Sequence, residues 1–265
     1  MKWWRFVVAS EIRKILAFRT DFWVTFLGQT LIQIFIARSL WQAIFDASGK
    51  TVMEGYTIQT MTLYYLIVPI GSKMLTGENM GFLSREIYEG TFNRYLLYPI
   101  SFFNYKTLTY LTYSAFYGIQ LSLAFIGYHL VFDQFDLNQV IQLSYGLFFF
   151  MLASYAYCNM ALFIELISIW ADNIWSLMVM ARFLCFFFGG AYIPLTFFPE
   201  ILQTIITFTP FPYLVSLPIN AMMGRLSLQE MIYGVIVLLV WSLIFNWLAK
   251  RLWGKGQYHY SGVGI

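Results

Sequence analysis

Charge is what this sequence has least of. Asp, Glu, Lys and Arg make up 11% of its 265 residues, against 60% hydrophobic, whereas a soluble globular domain carries about 25% charged residues. A larger core does not account for the deficit, because a water-facing surface must still be solvated. A bilayer as solvent does. Cysteine is equally scarce: Cys158 and Cys185 both fall in apolar stretches and read as small packing residues rather than a disulfide or metal pair. The two histidines, His129 and His259, stand in no metal-ligand spacing. No GxxxxGK followed by Ser or Thr occurs, so this chain holds no nucleotide, and no GxSxG elbow offers a nucleophile. Asp133 and Asp136 read as turn chemistry rather than an acid/base couple. No catalytic residue, metal or cofactor is expected on the chain. The net charge of +3 gives no pointer to nucleic acid. No cleavable leader is evident, since the basic start runs into Glu11, Arg13, Lys14, Arg19 and Asp21.

What is present is apolar length. About 20 apolar residues span a bilayer, and six such stretches occur, at roughly 22–45, 56–75, 103–130, 140–166, 174–193 and 230–249. The expected fold is an all-α integral membrane protein with six transmembrane helices, one transmembrane domain over 1–265. Residues 1–19 carry Trp4, Val8, Ile12 and Ile15 at helical spacing with Lys2, Arg5 and Arg13 on another face. That pattern fits an interfacial helix, or else a basic flank of the first span. Pro69 should kink the second span, and Asp172 with Asn173 marks the turn before the fifth.

Twelve basic residues fall in the N-terminal tail, the 72–106 segment and the C-terminal tail; on the other side stand only Lys50 and Arg225. The asymmetry places both termini in the cytoplasm and favours an even number of spans.

Two segments carry the functional signal. In Ser84 to Ser101, SREIYEGTFNRYLLYPIS, Arg85 and Glu89 are placed to pair at i,i+4. Gly90 suits a left-handed helix end, Thr91 suits a cap, and Pro99 stops the second turn. The result is a compact amphipathic knob, read as a docking surface for a soluble partner or as an ordinary loop. The 194–218 stretch holds Pro194, Pro199, Pro210, Pro212 and Pro218, with an apolar interval too short to span. It reads as a re-entrant hairpin on the outer side, or as a surface loop. Within the spans, Arg182 is expected near the midplane with Glu165 as partner, in a structural pair or a pathway, and Arg38 is expected to reach outward towards Asp46.

At these segments the chain resembles the permease subunits of type 2 ABC exporters. Arg85-Glu86-Ile87-Tyr88-Glu89-Gly90-Thr91 with Tyr95-Leu96-Leu97-Tyr98-Pro99 is similar to the family's first cytoplasmic loop. Tyr192-Ile193-Pro194-Leu195 with Phe198-Pro199 and Pro210-Phe211 is similar to its re-entrant segment. The ending Tyr260-Ser261-Gly262-Val263-Gly264 looks like that of a subgroup with viologen and drug exporters. The resemblance implies six spans, a cytoplasmic coupling helix, cytoplasmic termini and a bacterial inner-membrane location. Arg85, Glu86, Glu89, Gly90, Thr91, Arg94 and Tyr95 would then engage a separate ABC ATPase that carries ATP and magnesium. A second permease, identical or paralogous, would complete the pathway for a small hydrophobic, amphiphilic or cationic substrate. A transporter working without an ATPase would need coupling residues at the midplane, where Arg182 stands alone. A lipid-modifying enzyme would need a polar cluster at one membrane face, and none is apparent.

Overall fold

A computed structural model describes residues 3–77, 81–132, 135–171 and 173–259. Lys2, Asp133, Asp172 and the 260–264 ending lie outside these residues. Twelve helices and no strand occur among the described residues: α1 (Trp3–Ala17), α2 (Arg19–Ser48), α3 (Ile58–Thr76), α4 (Phe82–Tyr88), α5 (Arg94–Leu97), α6 (Phe102–Phe132), α7 (Leu137–Leu166), α8 (Trp175–Phe188), α9 (Glu200–Ile206), α10 (Phe211–Leu214), α11 (Ser216–Met222) and α12 (Leu228–His259).

Four of these, α2, α6, α7 and α12, are long and apolar enough to cross a bilayer. The other two expected spans are α3, 19 residues containing Pro69, and α8. The fifth expected span, 174–193, is helical only over Trp175–Phe188, because the chain turns at Gly190 (φ 89°). At 1.5 Å per residue its 14 residues cover about 21 Å, short of a ~30 Å hydrocarbon core. The expected basic tail, in contrast, continues α12 as helix to His259, because Trp253 finds a stacking partner in Phe102, centroids 4.3 Å apart.

Helix α3 sits at the centre, packed by α2, α6 and α7. Met61, Tyr64, Ile67, Met74 and Leu75 on it are wholly buried. Several polar groups inside the bundle are paired across helices. The Met74 carbonyl lies in the last turn of α3, where helical donors run out. It accepts from the hydroxyls of Ser114 (2.7 Å) and Ser154 (2.8 Å), which joins α3, α6 and α7. Asn159 on α7 donates to Ser242 of α12 (2.9 Å) and accepts from Asn246 (2.8 Å). The two cysteines are free and buried.

Helix α1 packs along α6 and buries Glu11 and Ile15, while Trp4 of the expected apolar stripe is exposed. Glu11 tolerates this position because Lys14 donates to it at 2.8 Å. Burial works against the Lys14 charge, but the hydrogen bond and charge of Glu11 outweigh it and hold the ammonium above its ordinary range. Arg38 is exposed and has no ion pair with Asp46, whose carboxylate accepts instead from Gln42 one turn away (3.1 Å).

The 194–218 stretch divides in two. Helix α9 is exposed at Ile201 and Ile205, whereas α10 and α11 are buried against α7 and α8. Pro199 and Pro210 precede their helices and Pro212 lies in the first turn of α10, positions where a missing N–H costs nothing. Seating α11 on α7 requires Gly146, since a Cβ there would stand 2.6 Å from Cβ of Met222. Gly146→Ala is expected to destabilise the protein by about 1–3 kcal/mol through overpacking. Gly28→Ala, whose Cβ would meet nothing within 4 Å, is expected to stabilise α2 by roughly 0.5–1 kcal/mol. Thermal unfolding of the two variants side by side in lipid checks both signs.

Candidate functional site

The 81–101 segment begins with a helix too short to stand alone. Seven residues lie well below the ~12–15 at which an isolated helix is even marginal. Gly81, at φ 106°, takes a conformation that favours glycine and offers no side chain to cap the start. Glu165, at the end of α7, reaches across to do so: its carboxylate accepts from the N–H of Gly81 (2.7 Å) and of Leu83 (3.0 Å). A carboxylate at a partly buried helix N-terminus contributes up to ~2 kcal/mol. This task displaces the expected one. Among the described residues no ion pair joins Glu165 to Arg182, which is exposed on α8 beside Tyr157.

One turn into α4, Glu86 is buried and anchors the other end of the segment. It pairs with Arg94 and accepts from the Tyr95 hydroxyl at 2.6 Å. The Lys106 ammonium of α6, itself buried, lies 3.8 Å away. Two cations and a hydroxyl therefore compensate one desolvated carboxylate, which makes its burial tolerable. Both cations also stand about one ring's reach from Tyr95, 5.1 Å from its centroid. Phe92, Tyr95 and Phe102 pack edge-to-face, and Trp253 of α12 closes the cluster. Gly90 takes the expected left-handed turn, φ 72°. Thr91 makes no cap; it opens a short 3-10 turn whose N-cap is Gly90, and its hydroxyl points back to the Glu86 carbonyl (3.4 Å).

The outward face differs. Arg85 and Glu89 form the expected pair at 2.6 Å, in solvent, where such a pair contributes little. Tyr88 (54% exposed) and Leu97 (83%) stand beside it without cover. The seven residues singled out in the sequence thus separate into an anchor, Glu86 with Arg94 and Tyr95, and a presented edge, Arg85 and Glu89, joined by the turn at Gly90 and Thr91. Sequence reasoning missed Lys106 and Trp253. The position of Lys106 at the head of an apolar span was a usable signal; nothing local marked Trp253.

At the other end of the molecule, the irregular backbone after α8 is held by consecutive tyrosines of α3. Tyr64 donates to the Gly190 carbonyl (2.6 Å) and Tyr65 to that of Tyr192 (2.7 Å). The far end of the same stretch is tied by Arg225, which donates to the Gly55 carbonyl (2.9 Å) and lies over the Tyr56 ring at 3.7 Å. The Pro194, Pro199, Pro210 and Pro212 segment is therefore fastened at both ends to the chain around the start of α3.

Residues 30–264 match a family model described as ABC-2 family transporter protein. Neither the curated proteins nor the solved structures give a significant match.

Glu86→Ala would remove the buried carboxylate that Arg94, Tyr95 and Lys106 converge on and is expected to cost about 3 kcal/mol or more, whereas Glu89→Ala should leave stability unchanged within error. Glu165→Ala should accelerate amide exchange over 82–88 by roughly tenfold, for a cap contributing about 1–2 kcal/mol. Thermal unfolding and hydrogen-exchange mass spectrometry read these two effects separately.

Proposed function

Because this chain belongs to the ABC-2 transporter family and is a multi-pass membrane protein of apolar helices, we propose that it is the membrane-spanning subunit of an ATP-driven exporter. A separate ABC ATPase docks on the 81–101 segment and carries the ATP and magnesium. The observation that carries this reading is the build of that segment. Its presented edge of Arg85, Tyr88, Glu89 and Leu97 is exposed, while its base is held to α6 by Glu86 and Lys106 and to α7 by Glu165. A surface fixed in this way transmits displacement instead of absorbing it. When two ATPases close on ATP, the shift would pass into α3 and α6, which the segment joins, and into α7 through the Glu165 cap.

In this reading the chain crosses six times. Helix α3 crosses with a proline inside it, and α8 crosses with its last third completed by the 189–193 backbone that Tyr64 and Tyr65 hold. The twelve-to-two bias of basic residues puts both termini and the docking segment in the cytoplasm of a bacterial inner membrane. Residues 194–218 form the re-entrant segment on the outer side. A second permease, identical or paralogous, faces the outward surfaces of α2 and α8, where Leu31, Phe35, Trp175 and Phe183 are exposed. The pathway between the two serves a small hydrophobic, amphiphilic or cationic substrate, in keeping with the short outer connections.

Tyr88→Asp and Leu97→Asp test the docking. Co-expressed with a candidate ABC ATPase that co-purifies with the unaltered chain, each variant is expected to lower ATPase co-purification at least tenfold with permease yield unchanged. Undiminished recovery of the complex, with undiminished ATP turnover in lipid, would overturn the proposal.

A further inference from the structure

The cleft between the α1–α2 pair and the α3–α6 pair plays no part in the account above. It encloses about 400 Å³, within the ~300–1,000 Å³ of small-molecule sites. Its lining is graded along its length. Lys14, Asp21 and Lys73 stand at the end nearest the 81–101 segment; Phe22, Phe26 and Ile70 wall the middle; Thr30 lies farther in. Thr30 stands nine positions after Asp21 on α2, about 14 Å of helix. Charged at one end and mostly apolar beyond it, with Thr25, Thr30 and Gln120 the uncharged polar exceptions, the cleft has the polarity of a single amphiphile lying parallel to the helices.

The charges indicate which amphiphile. Lys14 is oriented by its bond to buried Glu11. Lys73 lies about one turn inside α3 and has no carboxylate partner among the described residues. Its ammonium is exposed at the mouth of the cleft, where an anion can reach it. The Asp21 carboxylate accepts from the Thr25 hydroxyl at 3.4 Å, a long contact that leaves acceptor capacity to spare. Two ammonium groups and one carboxylate at the mouth complement a headgroup with a phosphate and a primary amine. A headgroup with phosphate alone leaves the spare acceptor capacity of Asp21 unused and sets its charge against the phosphate. A trimethylated amine cannot donate a hydrogen bond to it.

We propose that this cleft binds one phospholipid of the ethanolamine type from the leaflet on the side of the 81–101 segment. Its phosphate meets Lys73 and Lys14, its amine faces Asp21, and an acyl chain lies along Phe22, Phe26 and Ile70. The site is complete within one chain and needs no ATPase, so it stands or falls independently of the docking reading.

Native mass spectrometry of the full chain, delipidated and titrated with phosphatidylethanolamine, phosphatidylglycerol and phosphatidylcholine, tests it. The ethanolamine lipid should be retained at least fivefold over the other two. Lys73→Gln should lower its retention about fivefold, and Asp21→Asn should abolish its advantage over the glycerol lipid. Thr30→Trp, which fills the end of the cleft remote from the charges, should remove the bound lipid with Lys73 and Asp21 intact. Equal retention of the three lipids, preference for the glycerol lipid, or retention unmoved by Lys73→Gln and Asp21→Asn would overturn the proposal.

Discussion

A backbone carbonyl or N–H inside a bilayer has no water to turn to, and every departure from helix must supply its own partner. The distinctive contacts of this protein answer that constraint, or its counterpart for backbone buried within protein. Glu165 exists where it does because α4 starts beside a glycine that cannot cap it. Tyr64 and Tyr65 lie in sequence because two carbonyls of the chain after α8 need donors. Ser114 and Ser154 converge on the last turn of α3 for the same reason. In each case the polar group that solves a local backbone problem also ties two elements together, so satisfying the backbone and fixing the tertiary structure are one act.

The 81–101 segment shows what this produces functionally. A seven-residue helix, a 3-10 turn and a four-residue helix have no stability of their own. Their geometry is imposed by two buried carboxylates, Glu86 and Glu165, that reach in opposite directions. The buried charges are expensive, and each is tolerable only while its partners stay in place. That makes the segment stiff against small displacements, as a lever arm at a subunit boundary has to be. The uncovered Tyr88 and Leu97 mark the side on which the proposed ATPase would apply its load.

Much of this was legible in the sequence, for identifiable reasons. The long spans stood out because apolar length is a one-dimensional property, and helices α2, α6 and α7 begin and end within a few residues of expectation. The knob was legible because Arg85, Glu89 and Gly90 act over four or five residues. What was misread depends on distance. Glu165 was matched to Arg182 because both are charges in apolar stretches; the preference of a carboxylate for two free N–H groups 82 and 84 residues away has no sequence signature. The shortness of α8 was hidden because the apolar run continues past the turn at Gly190. Helix α12 outran its apolar span because Trp253 found an aromatic partner on α6.

The ways the helices begin also imply an order of assembly. Helices α3, α7 and α12 all start on one side of the bundle, and each starts with a reciprocal capping pair three residues apart: Thr57 with Thr60, Asp136 with Gln139, Ser227 with Glu230. These starts are self-contained and close as soon as a few residues leave the ribosome. On the opposite side Ser101 and Asn173 make local contacts at the starts of α6 and α8, but the 81–101 segment depends on distant residues. The cap of α4 waits for residue 165, and the aromatic cluster beneath it waits for residue 253. The surface the ATPase is proposed to grip is therefore among the last parts of the nascent chain to take shape, so only a permease synthesised almost to its end presents a finished docking face.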